Sequence, residues 1–166
     1  MYPAEVLRQP AIGLTEISDD VVKLVEDMFE AMYVAPGVGL AAPQVNRSLR
    51  LFVMDSRPDD QRHPIAMINP SIIKKEGEIT WDEGCLSIPG FYAEVTRAES
   101  VTVSALDVHG NEQQYDLTGF EAVIAQHEID HLDGVLFVDY LSNMRRRLFE
   151  KDYGKDRFRY KFKSRS

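Results

Sequence analysis

The chain has 166 residues, of which 44% are hydrophobic and 28% charged, with a formal net charge of −8. That length fits one domain, read here as residues 1–166, and the composition excludes disordered and fibrous classes. Its single cysteine excludes a disulfide scaffold, no apolar run approaches the roughly 20 residues of a membrane span, and Met1-Tyr-Pro-Ala-Glu-Val-Leu-Arg8 lacks the pattern of a secretory signal. A soluble, cytoplasmic protein is the expectation. The charge is uneven: from Arg145 to Ser166 ten basic residues face only three acidic ones, above an acidic body. Such a tail suits either a polyanion contact or plain solvation.

In chain order, Ser18 followed by Asp19 and Asp20 predicts a helix start, because the acids suit the positive end of the helix dipole. Val21, Leu24, Val25, Met28, Phe29 and Met32 then form one apolar helical face, which Pro36 and Gly37 end. Short apolar runs at Leu51–Met54 and Ile65–Ile68 predict strands, the second closed by Asn69-Pro70. Phe91, Ala93 and Val95, then Val101, Val103 and Ala105, alternate with polar residues as half-buried strands do, and His109-Gly110-Asn111 supplies a turn. Thr118 and Glu121 have capping-box spacing, so a second helix is predicted to start there and to end at Gly134. A last helix is predicted from Ser142 to about Tyr153, ended by Gly154. This order is α+β, without the alternation of a doubly wound sheet.

The chemistry centres on Gln126-His-Glu-Ile-Asp-His131. Positions i and i+4 share one helix face, so His127 and His131 can hold one metal ion, with Glu128 near enough to act on a water there. A catalytic centre needs a third protein ligand. Downstream there is no His; Asp133, Asp139, Glu150, Asp152 and Asp156 remain candidates, and Cys85 is the upstream one. A lone cysteine is ordinarily a small buried hydrophobe, but beside a metal helix the thiolate is the stronger expectation. Gly37-x-Gly39-x-x-Ala42 imitates a dinucleotide fingerprint, yet a helix precedes it and Pro43 would cut the helix it should open. It reads better as a glycine backbone close to a ligand, with Gln44 as an amide donor toward an oxyanion. His63 and His109 read as surface residues, Trp81 as a packing residue, and Glu83 with Arg97 as an ion pair ordering the cysteine segment.

Together, Gly37-Val-Gly-Leu-Ala-Ala-Pro-Gln44, Glu83-Gly-Cys-Leu-Ser87 and Gln126-His-Glu-Ile-Asp-His131 resemble the three signature motifs of the peptide deformylases, in the family's order, and the likeness runs from about Leu7 to Leu141. The resemblance implies antiparallel and mixed β-sheets packed around a central metal-binding helix, with a C-terminal helix. It implies that Cys85, His127 and His131 hold one divalent ion, Fe2+ in many members, replaceable by Zn2+, Ni2+ or Co2+. Glu128 would take a proton from the metal-bound water and deliver one to the leaving amine. Gln44 and the Leu86 backbone N–H would stabilise the oxyanion. Val38, Gly39 and Leu86 would bind the substrate backbone, while Val123, Ile124 and His127 would line a methionine pocket. The implied reaction removes the formyl group from N-formylmethionyl nascent peptides and releases formate.

The same resemblance implies a monomer with no DNA or membrane partner, whose basic segment 142–166 contacts the ribosome through Arg145, Arg146, Arg147 and Lys151. Tyr92 stands near the substrate channel where some members carry a basic residue. Two other readings are a small His-Glu-x-x-His endopeptidase and a catalytically weak ribosome-binding relative. The cysteine segment and the missing downstream His oppose the first; an intact Glu128 opposes the second.

Overall fold

The computed structural model describes residues 1, 2, 4–151 and 153. After a short 3-10 turn, Glu5–Arg8, comes helix α1, Asp19–Val34, with Ser18 at the N-cap position in extended conformation. The Ser18 side chain makes no cap hydrogen bond, so the acids Asp19 and Asp20 are what favour this end. Among the described residues seven strands follow: β1 Gly39–Ala41, β2 Leu51–Met54, β3 Ile65–Glu76, β4 Ile79–Cys85, β5 Ile88–Arg97, β6 Ser100–Leu106 and β7 Glu112–Thr118. Helix α2, Gly119–Leu132, and a 3-10 turn, Phe137–Tyr140, come next. Residues 143–151 are helical, entered with the Arg145 N–H donating to Ser142 Oγ at 3.3 Å. Gly154, expected to end this helix, and the basic tail beyond it lie outside the described residues.

One sheet has the order β1-β2-β3-β6-β7, and β4-β5 form a separate pair; every pairing is antiparallel. A parallel bridge joins Ile12 to Leu49. The continuous apolar run of β2 has a simple cause: Phe52 and Met54 face α2, while Leu51 and Val53 face α1, so both faces are covered. A third cluster sets Ile88, Ala93 and Val95 of the hairpin against Leu7, Phe137 and Phe149. Fully burying such a side chain contributes roughly 1.5–3 kcal/mol. Helix α2 runs between the sheet and the hairpin and is buried nearly all round, from Ala122 to Ile129. That accounts for its lack of a polar face.

Two local expectations are corrected. The strand does not close at Asn69-Pro70. Asn69 takes a left-handed conformation (φ 51°), its side chain bonds the N–H and the C=O of Leu14 at 2.8 Å each, and β3 shifts register there and continues to Glu76. The capping box at Thr118 does not form either. Thr118 is still paired with Ser100 in the sheet, and the chain turns into α2 through Gly119 at φ 57°, whose N–H donates to the Glu99 carbonyl. Glu121 instead accepts from Ser56 Oγ at 2.7 Å. At the other end, Gly134 at φ 74° closes α2 as expected.

Candidate metal centre

Helix α2 places His127 and His131 one turn apart, with ring centroids 4.9 Å from each other. The end of β4 brings Cys85 to them, Sγ lying 3.3 Å from His131 Nε2. Ligand atoms of Cys85, His127 and His131 all fall within 4.8 Å of one another. A tetrahedral ion with S at ~2.3 Å and N at ~2.0 Å would hold such a pair about 3.5 Å apart. The donor set therefore fits one metal ion, a soft thiolate with two imidazoles. Sγ also receives the Ser87 backbone N–H at 3.4 Å and Gln44 Nε2 at 3.5 Å, both suited to a thiolate.

The ligands are held from behind. Glu83 Oε1 accepts from His127 Nδ1 at 2.7 Å, which leaves Nε2 of that ring for the metal. Arg97 grips the same carboxylate with Nε at 2.5 Å and Nη2 at 3.0 Å, and reaches Asp130 with Nη1 at 2.8 Å. This is the ion pair expected between Glu83 and Arg97, extended to a metal-ligand helix. Gln44 is anchored too: its Oε1 accepts from the Ala41 N–H at 2.8 Å, aiming Nε2 at Cys85 Sγ and Ser87 Oγ.

Glu128 is buried against Gly39. A Cβ at residue 39 would run into the Glu128 carboxylate, and one at residue 37 would meet Leu86 Cδ1 at 2.8 Å. Gly39 and Gly37 thus make room for Glu128 and Leu86. Among the described residues, Glu128 Oε2 and His131 Nδ1 are buried without a hydrogen-bond partner. Burial raises the Glu128 pKa to about 7, helped by the charges of Glu83 and Asp130 and opposed by His127 and Arg97. Burial opposes charge on His127, yet hydrogen bonds to Cys85 and Glu83 outweigh it and lift its pKa to about 10. Burial and then the charge of His127 push His131 well below the usual imidazole value.

A cavity of about 230 Å³ opens beside these groups, lined by Val38, Trp81, Asp82, Glu83, Gly84, Phe120, Val123, Ile124, His127 and Glu128. The sequence model of the polypeptide deformylase family matches residues 1–147. The chain belongs to this family. It is 49% identical over 147 residues to a peptide deformylase of Alkalilimnicola ehrlichii (89% of this chain, 83% of the relative). It is 48% identical over 153 residues to one of Thermodesulfovibrio yellowstonii (92% and 93%). Its structure resembles a crystal structure of a peptide deformylase from Legionella pneumophila, with a TM-score of 0.90, 42% identity and coverage of 99% of this chain and 95% of that one.

The fold collects Val38, Val123, Ile124, His127 and Glu128 around one cavity, with Gly39 packed on Glu128 and Leu86 next to Cys85. Tyr92 is exposed; its ring packs on Gly84, a cavity-lining residue, and it borders a neighbouring groove with Phe91, Arg145 and Leu148. His63 and His109 are exposed, as expected. Sequence reasoning missed the cavity's outer wall, where Trp81 stacks on Phe120 with ring centroids 5.0 Å apart. The sequence reads Trp81 only as packing; its stacking from β4 on Phe120 at the start of α2 makes the two a wall. It also missed Glu83 as the partner of His127. No helix among the described residues is long and apolar enough to cross a membrane.

Proposed function

We propose that this chain removes the formyl group from the N-terminal formylmethionine of nascent polypeptides, releasing formate and a free amine. The observation that carries the reading is the grouping of Cys85, His127 and His131, with His127 and Glu128 lining a largely apolar cavity. The three ligands would hold one divalent ion, Fe2+ with Zn2+, Ni2+ or Co2+ as substitutes, which when bound supplies Lewis acidity to water and to the formyl carbonyl.

The protein's own groups do the rest. Glu128, buried and unpartnered at Oε2, takes the proton of the attacking water and passes it to the departing amide nitrogen; a carboxylate with a pKa near 7 suits both transfers. Water oxygen forms the new C–O bond as the C–N bond breaks, giving formate and amine. Gln44 Nε2 and the Leu86 backbone N–H donate to the carbonyl oxygen as its charge grows. Val38, Gly39 and Leu86 align the peptide backbone, and Val123, Ile124 and the His127 ring take the methionine side chain, whose unbranched thioether suits this apolar space.

The protein would work as a cytoplasmic monomer, its basic segment meeting ribosomal RNA phosphates. Arg145, Arg147 and Lys151 are exposed on the helix over residues 143–151, and Arg146 is shared with Asp139 and Glu150. Formate release from formyl-Met-Ala-Ser by anaerobically prepared protein, beside Glu128→Ala and with metal content measured on both, tests the reaction. The wild type should turn over, and the variant should keep metal without releasing formate. A metal-loaded wild type that releases none overturns the proposal.

A further inference from the structure

We infer that Asp130 and Tyr140 are positioning residues of the metal centre, closing a clamp that locks the helix carrying His127 and His131 to the hairpin carrying Cys85. The inference rests on the metal-centre reading above and adds a device to it.

The clamp starts from Arg97, whose side chain is 4% exposed. Its Nε and Nη2 hold Glu83 on β4, two residues before Cys85, while its Nη1 holds Asp130 on α2, between the two histidines. One guanidinium thus joins the two elements that supply the ligands. Its planar fork sets their separation and angle together, which a flexible ammonium would not. The pull is transmitted directly, because Glu83 Oε1 also accepts from His127 Nδ1. Asp130 is the weak point: it is partly exposed, and a carboxylate at the edge of solvent can swing away from Arg97.

Tyr140 closes that edge. Its hydroxyl donates to Asp130 Oδ2 at 2.8 Å, the same oxygen that receives Arg97, and its ring covers the guanidinium with 5.0 Å from Cζ to the ring centroid. The 3-10 turn Phe137–Tyr140 holds the tyrosine in place, with Phe137 and Val138 buried in the hairpin's own core. A polar cavity of about 340 Å³ reaches Arg97 and Asp130 as well as Lys75, Gln126 and Tyr140, so the tyrosine hydroxyl competes there with water for Asp130 Oδ2, and its loss leaves that oxygen to solvent. The expected consequence is a looser angle between hairpin and helix and weaker metal binding, without loss of any ligand.

The test uses full-length protein stripped by a chelator and titrated with Co2+ against a competing indicator, with the thiolate-to-cobalt absorption recorded. Tyr140→Phe and Asp130→Asn should weaken Co2+ binding about 10-fold or more, in the range typical of groups behind a ligand, and alter the cobalt spectrum. Tyr33→Phe removes a hydroxyl bonded to a buried carboxylate away from the centre, Tyr33 Oη to Asp55 Oδ2 at 2.6 Å, and should leave both unchanged. If Asp130→Asn does not fold, Tyr140→Phe, at a half-exposed position, decides alone. Unchanged Co2+ affinity and spectrum in Tyr140→Phe overturn the inference while the metal-centre reading stands. A wild type that binds no Co2+ overturns both.

Discussion

Glu83 and His127 are 44 residues apart in the chain and 2.7 Å apart in the fold, Nδ1 to Oε1. That bond fixes which imidazole nitrogen faces the metal, and the same carboxylate is held in a two-point grip by Arg97. Burial alone would raise the Glu83 pKa, but the His127 and Arg97 hydrogen bonds hold it below the usual carboxylate value. Replacing Glu83 by Ala strands a buried guanidinium. Urea unfolding should show a loss of about 3 kcal/mol, at the low end for a broken buried pair because Asp130 still holds Arg97.

Gly39 tests the seat of the proposed base. Gly39→Ala drives a methyl into the Glu128 carboxylate and must displace it. Formate release should fall about 100-fold while metal content stays at the wild-type level, since no ligand is touched. Unchanged turnover would mean that Glu128 does not need the position it occupies here.

Gln44→Ala separates oxyanion stabilisation from metal binding. The amide donor is lost, and kcat should fall about 100-fold with metal retained. Steady-state kinetics beside metal analysis reads both quantities. Loss of metal instead would make the bond from Gln44 to Cys85 Sγ a structural one.

Asp55 gives a pH dependence away from the centre. Burial opposes its charge, but the Tyr33 hydroxyl and the His63 and Arg57 backbone N–H groups all donate to it and hold its pKa below the ordinary value. A carboxylate with a lowered folded-state pKa stabilises the fold above its unfolded value, about 4, and that stability disappears as pH falls through the folded value. The gap in urea midpoint between wild type and Asp55→Asn should therefore be full at pH 7 and shrink as pH falls below about 4.

Gly119→Ala isolates backbone strain. A Cβ there meets nothing within 4 Å, so the only cost is the left-handed conformation at φ 57°, about 1 kcal/mol. Thermal unfolding should report that loss.

Some of this molecule is local, and local features are legible in a sequence. The spacing of His127 and His131 puts two imidazoles on one helix face whatever surrounds them, and the α1 stripe of Val21, Val25, Met28 and Met32 needs only helical periodicity to find the core. The order of the three motifs sufficed for the family, because each motif is read within a few residues. What the tertiary structure decided are the meetings across long separations and the outcomes of competition. Cys85 reaches His131 across 46 residues because β4 ends beside α2. Thr118 fits a capping box by spacing, but pairing with Ser100 in the sheet took its backbone, and Ser56 took the Glu121 carboxylate. Asn69-Pro70 reads as a strand end, yet the two bonds from the Asn69 side chain to Leu14 satisfy the bulge and let β3 continue. Backbone periodicity is a property of neighbours in the chain. Which polar group satisfies which is settled only when burial brings distant candidates within hydrogen-bond reach and removes water as the alternative.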